Sequence, residues 1–531
     1  MKLQKQKKII IAMAAAFVAL VIVYFAVIVP LTAVIEDDSP AVELIEGEVL
    51  INNTLTNFYM FEPIARSAMQ SIEVENEFGG YKIYRDASDT FQLDGFLGLS
   101  FNSELFSSLV VTTGTPTVMQ RIAQDLDADG LAEYGFDSPQ ASWTVTDLNG
   151  NKVKVIVGDQ LLTEGGYYVM LDGRNAVYIM GTTLADTILK PAYSLLQPLL
   201  TAGMSTNTYF FVDRFTVWKG EDLFVNVERV PEAEMSNPDA IVETRLLYPM
   251  PETGGLYEIN DTLYFEILYN FMALQGNAVV AFLPTEEELV QYGLDTPAYT
   301  INYTFDNPNT PENDTYEFYI FVSKKQADGT YYAVSNLLGY SVVCNVSNEM
   351  LGWLEKDKFA WIFPTPFFEN IQDVGRITLK SEENNINVDF TLTHGLAEDG
   401  TTPTLDVTDA VSGTYIPDKD VKNFREFYKT MLNITNQEYA TLSEEDRYAL
   451  TANDDNLIMT MTYESSKSDD YCEYKFYRYV EQSTGKISGG KVFVTVNGIG
   501  EFYTTNDLVE KIMNDTPRVL EGLDIDAYRH N

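Results

Sequence analysis

Cysteine and histidine are almost missing from this chain, with two of each in 531 residues. Cys344, Cys472, His394 and His530 lie far apart, which excludes a structural zinc site built from three or four clustered Cys or His ligands. Two distant cysteines leave both one disulfide and two buried thiols open. Basic side chains are also few: 35 Lys and Arg stand against 78 Asp and Glu, for a net charge of −43. Four of those cations, Lys2, Lys5, Lys7 and Lys8, fall in the first eight residues, so the rest carries 31 against 78. Such a surface repels nucleic acid and anionic headgroups, which excludes nucleic acid as a partner. It suits a soluble body facing the outside, and a basic partner or cations. Disorder is excluded by an apolar fraction of 45% and 13% aromatics, enough for real cores.

Apolar runs beyond Val29 are short or broken by charge. Ile9–Val29 itself is 21 residues without a charge, which at a rise of 1.5 Å per residue spans about 31 Å against a bilayer core of roughly 30 Å. Lysines before it and Glu36-Asp37-Asp38 after it predict a single membrane-spanning helix with a cytoplasmic N-terminus. A cleaved signal peptide would have a shorter apolar region and a small-x-small site, and Ala33-Val34-Ile35 is a poor one.

Internal repetition is the strongest signal. Tyr134-Gly135-Phe136-Asp137-Ser138-Pro139 returns as Tyr292-Gly293-Leu294-Asp295-Thr296-Pro297, and a worn copy sits at Tyr448-Ala449-Leu450-Thr451, at spacings of 158 and 156 residues. Gly permits positive φ, Asp closes an Asx-type turn and Pro starts extended chain. Positions nine and eleven after each Tyr are Trp143 and Val145, Ile301 and Tyr303, Leu457 and Met459, a shared strand phase. Upstream of each motif lie alternating strands, Ile72–Glu75, Phe215–Trp218 and Ile377–Leu379, and a helical stretch at Ser103–Val111, Asp261–Leu274 or Asp418–Leu432. Downstream lie a hairpin (turning at Asp172-Gly173 and Asn497-Gly498 in the outer copies) and a short helix opening at Thr182, Ser347 or Asn506, residue types that cap helices.

The expected fold class is therefore α+β: one N-terminal transmembrane helix, then three tandem related units of antiparallel sheet with short helices. The divisions are a cytoplasmic tail (1–8), an anchor (9–35), a junction (36–68), unit one (69–195), unit two (209–358) and a degenerate unit three (371–531). The apolar join Phe359–Phe368 is expected to pack between units; an exposed partner-binding patch is the alternative.

Chemistry-bearing motifs fail one by one. Asp125, Asp127, Asp129 and Gly130 start an EF-hand loop, but its twelfth position, where a bidentate Glu belongs, is Phe136. Gly485-Lys486 lacks the earlier Gly and the following Ser or Thr of a phosphate-binding loop. His394, in a Thr-His-Gly sequence expected to turn, and His530 near the C-terminus offer no nucleophile-activating base. No catalytic, cofactor-binding or metal-ligating residue is nominated, no cofactor is expected, and the chain is read as a non-enzyme.

The Tyr-Gly-[Phe/Leu]-Asp-x-Pro turn, with Gly158-Asp159 and the Tyr167-Tyr168-Val169 hairpin, resembles the bacterial family called domain of unknown function 4340. The resemblance covers most of residues 69–357 and, more faintly, 371–515. It implies one N-terminal anchor, an exported body and, since some members are found beside ABC transporter components, an accessory role. It supplies no catalytic residues. The expectation is a single-pass, extracytoplasmic accessory or binding protein at the cell membrane, partnered by ABC-type subunits or an envelope ligand. A hydrolase of envelope glycan or peptide and a calcium-stabilised adhesion stalk are the alternatives.

Overall fold

In the computed structural model the described residues are 42–51, 57–163, 165–201, 212–235, 242–248, 259–271, 274–306, 315–367, 369–440, 442–467, 471–481 and 485–528. They pack as two compact units divided after Gln197.

The first unit runs β1 (Val49–Leu50), β2 (Phe58–Tyr59), β3 (Met69–Asn76), β4 (Tyr81–Arg85), β5 (Phe91–Leu93), α1 (Ser103–Gly114), β6 (Thr117–Val118), β7 (Gln120–Ala123), α2 (Ala128–Ala132), β8 (Ala141–Asp147), β9 (Lys152–Gln160), β10 (Tyr167–Leu171), β11 (Val177–Met180) and α3 (Thr182–Ile188). Its main sheet is ordered β5-β4-β3-β8-β9-β10-β11-β7, antiparallel throughout.

The second unit opens with β12 (Val212–Lys219), β13 (Asp222–Arg229), β14 (Thr244–Tyr248), α4 (Asp261–Phe271), β15 (Ala278–Phe282), α5 (Glu286–Tyr292), β16 (Tyr299–Asp306), β17 (Thr315–Val322), β18 (Tyr331–Ser335), β19 (Val342–Val346) and α6 (Asn348–Leu351). It continues with β20 (Val374–Ser381), β21 (Ile386–Leu396), β22 (Pro403–Asp409), β23 (Tyr415–Ile416), α7 (Lys422–Met431), β24 (Glu438–Tyr439), α8 (Glu444–Thr451), β25 (Leu457–Ser465), β26 (Tyr471–Glu481), β27 (Lys486–Val496), β28 (Ile499–Thr505) and α9 (Asn506–Leu520). These strands make two sheets, β14-β13-β12-β16-β17-β18-β19-β15 and β23-β22-β21-β20-β25-β26-β27-β28-β24. Ranked within its own sheet, and setting the extra β23 aside, each of the three large sheets reads 3-2-1-5-6-7-8-4.

Two finer features repeat. The first strand of every large sheet carries a bulge at its start, where pairing with the fifth strand skips one residue: between Met69 and Ser71, Val212 and Arg214, and Val374 and Arg376. A bulge bends the strand and shifts its register locally. The segment leading into each sheet also hydrogen-bonds just ahead of the fourth strand, at Phe58 to Val118, Leu199 to Gln275, and Pro364 O to Asn436 N.

One face of each sheet holds the main core. In the first unit Ile72, Trp143, Val155 and Val169 meet Leu109 and Val110 of α1 and Ile188 of α3. In the second large sheet Phe215 sits among Tyr264, Phe271, Trp353 and Trp361. In the third, Phe390, Met461 and Val494 meet Phe424 and Phe427 of α7 and Ile512 of α9. Burying one such side chain is worth about 1.5–3 kcal/mol. The join at Phe359–Trp361 and beyond is packed: Trp361, Ile362 and Phe367 are buried, Ile362 bridges to Ile259, and Phe367 meets Tyr428, Tyr463 and Tyr474 edge-on.

The structure corrects the expected fold class. The described residues are mostly antiparallel sheet rather than α+β behind a membrane helix, and among them no helix is long and apolar enough to cross a membrane. The expected anchor at 9–35 lies outside the described residues. Two further expectations change, and one left open is settled. His394 is not in a turn but inside β21, where Nε2 lies 2.7 Å from Val374 O. The closing helices lack side-chain caps: Thr182 and Asn506 are already helical, and Ser347 precedes α6 without bonding it. Both cysteines are free thiols, with Cys344 buried in β19.

Candidate functional site: turns, open sheet faces and clefts

The organising turn pins a helix to the sheet. Gly135 has φ +82°, and a Cβ there would come within 2.5 Å of the Asp159 carboxyl group; beside it, Tyr134 O accepts the Asp159 N–H at 2.9 Å. The Tyr134 ring meets Tyr168 edge-on at 5.0 Å. The second copy follows α5, which starts in a capping box of Thr285 and Glu288 and stops at Gly293, φ +67°. Tyr292 lies 4.7 Å from the Tyr332 ring and its hydroxyl donates to Val280 O. Both tyrosines therefore hold a helix against the sheet face opposite the main core.

The third copy is displaced. Aligned on the bulges, the partners of Val74, Val217 and Leu379 are Trp143, Ile301 and Met461. The residue equivalent to Tyr134 is then Ala452, which caps α8, and not Tyr448 one helical turn earlier. Tyr448 is 74% exposed, and Leu450 takes over the packing, against Phe493 and Tyr503. The shift of four residues is even, so the strand faces keep their phase.

The three bulges each set a residue on the sheet face opposite the main core: Ser71, which is buried, and Arg214 and Arg376, which reach solvent. Arg376 grips both Asp389 oxygens at 2.7 and 2.9 Å and reaches Glu464 at 2.8 Å. This hydrogen-bonded guanidinium holds the Asp389 carboxyl below its usual range. Arg214 Nε donates to Asn226 at 3.2 Å. These positions carried no sequence signal, because bulge registration depends on pairing between strands distant in the chain.

Several clefts open on the surface of the described residues. One, of about 550 Å³, lies in the first unit beside the organising turn and is lined by Glu75, Asn76, Ser138, Ser142, Lys154 and Leu189, among others. Lys154 Nζ and Ser142 Oγ both donate to Glu75, at 3.1 and 3.0 Å, and lower its pKa, the lysine contributing most. Asn76 Nδ2 is spent on Ile188 O and Lys190 O. This cleft presents hydroxyl, amide and ion-paired groups, which suit polar recognition; its ionised Glu75 is no proton donor. A second cleft of about 460 Å³ lies between β27 and α9 near Arg478 and Glu510. A third, of about 420 Å³, lies against α7.

The residues singled out in the sequence do not converge. Asp127 caps α2 by accepting the Gly130 N–H at 2.9 Å, and among the described residues no three His, Cys, Asp or Glu side chains gather as metal ligands. Gly485, at φ +64°, begins the turn into β27 with its N–H on Glu481 O. His530 lies outside the described residues.

No curated protein matches the chain. An endo-1,5-alpha-L-arabinanase crystal structure from Thermotoga petrophila RKU-1 aligns over 87% of this chain and 98% of its own, at 10% identity and a TM-score of 0.09, too low to carry any argument. Residues 107–225, from α1 into β13 and including the first organising turn, match the family described as Domain of unknown function (DUF4340).

Proposed function

We propose that this protein is a non-enzymatic accessory component that works outside the cytoplasm and binds a subunit of an ABC-type transport system through its repeated sheets. The observation that carries this reading is repetition: three large sheets share one strand order but differ at their bulges, where Arg214 and Arg376 reach solvent and Ser71 is buried. Repeated frameworks with divergent surfaces make extended binding faces. The family resemblance adds the transporter association. The acidic surface adds a preference for a basic partner. A retaining or inverting glycosidase needs one carboxyl kept protonated beside a carboxylate, and Glu75 in the cleft beside the organising turn is driven the other way.

In-cell crosslinking followed by affinity purification of the full chain tests the proposal. ABC-type permease or ATPase subunits should be enriched over a control membrane protein. Their absence, or release of sugar or peptide from purified envelope by the purified chain, would overturn it.

A further inference from the structure

The cleft against α7 has a more apolar lining than the other two. It lies between residues 369–371 and α7, encloses about 420 Å³, and is lined by Ile371, Tyr428 and Leu432 with Arg425 and Lys429 on its rim. That volume falls in the lower part of the range for small-molecule sites, about 300–1,000 Å³. Tyr428 is buried, and its hydroxyl donates to Glu369 O at 2.6 Å, fixing the ring as one wall. The rim cations stay partly in water: Arg425 is 33% exposed and 3.8 Å from Asp418, and Lys429 is 58% exposed and 2.7 Å from Glu426. Glu369 sets an opposing charge on the same rim.

This charge is specific to one repeat. The helices in the same chain position, α1 and α4, contain no Lys or Arg, whereas α7 carries Lys422, Arg425 and Lys429. In a chain of net charge −43, two cations on the rim of an apolar wall are a feature that the equivalent helices of the other repeats do not share. Its complement is an anion attached to an apolar body.

We propose that this groove binds a linear amphiphile of the fatty-acid type, its carboxylate between Arg425 and Lys429 and its acyl chain along Ile371, Tyr428 and Leu432. Arginine is suited to the head because its planar fork matches a carboxylate. The groove and the transporter association can fail independently, since neither depends on the other.

Titration calorimetry of the detergent-free full chain with laurate, below its micelle threshold, should give saturable one-site binding. The Arg425→Gln/Lys429→Gln double variant should weaken it at least tenfold with an unchanged melting temperature. Dodecanol, which has the tail without the charge, should bind at least tenfold more weakly than laurate. Lys429→Gln alone changes a mostly exposed side chain, stays folded, and should still weaken binding about threefold. The proposal is overturned by no saturable laurate binding, by equal binding of dodecanol, by an indifferent Lys429→Gln variant, or by dodecyl phosphate or an acidic peptide binding more tightly than laurate.

Discussion

Arg376 and Asp389 form a two-pronged pair across neighbouring strands, Nε to one carboxylate oxygen at 2.7 Å and Nη2 to the other at 2.9 Å. The pair stands one residue beyond the bulge of the third large sheet and depresses the Asp389 pKa. A carboxyl depressed in the folded state adds stability that is present above its unfolded pKa, about 3.9, and is lost as the pH falls through the lower folded value. Because both partners are part exposed, Asp389→Asn should cost about 1 kcal/mol at pH 7. Urea melts of wild type and variant should differ at pH 7 and converge as the pH is lowered below the unfolded carboxyl range; a gap that survives acid would refute the electrostatic origin.

The two organising glycines should respond unequally. Gly135→Ala places a Cβ 2.5 Å from the Asp159 carboxyl group at φ +82°, whereas Gly293→Ala meets nothing nearer than the Ser323 Cβ at 3.8 Å. Left-handed backbone alone costs a non-glycine residue about 1–2 kcal/mol. Gly293→Ala should lose about that, and Gly135→Ala measurably more, by equilibrium unfolding. Equal losses would mean that the Asp159 contact yields freely.

Tyr134 and Tyr448 look alike in sequence but should separate on truncation. Tyr134→Ala removes an aromatic pair and part-buried area, for about 1–2 kcal/mol. Tyr448→Ala, at an exposed position, should stay within about 0.5 kcal/mol of wild type. Thermal melts of both variants decide it; a destabilised Tyr448→Ala would restore the register that the bulges displace.

Cys344 should be chemically silent in the folded chain. Burial in β19 pushes its thiol pKa up to about 12, and burial also raises that of Cys472. Since the thiolate is the reactive form, maleimide at pH 7.5 should label Cys344 only after denaturant is added. Mobility without reductant should match mobility with it. Rapid labelling of native Cys344, or a reductant-dependent shift, would contradict the free, buried thiol.

The motif spacing alone announced that one framework recurs, and the strand phase after Tyr134 and Tyr292 put Trp143, Val145, Ile301 and Tyr303 at matching positions, and all four are buried. Those readings hold because alternation and turn chemistry are local: a glycine that needs positive φ, or a side chain that must face the core, is marked by its immediate neighbours. The apolar join around Trp361 was legible for a related reason, since such a run is rarely left in water.

What the tertiary structure decided is the pairing between distant strands. It set the bulges that align Trp143, Ile301 and Met461 and thereby moved the third copy off Tyr448. It drew His394 into β21, and it closed the groove beside Arg425. Each arises where segments tens of residues apart meet across a sheet or against a helix. Hydrogen-bond register and shared burial choose among the alternatives there, and no window of neighbouring residues records that choice.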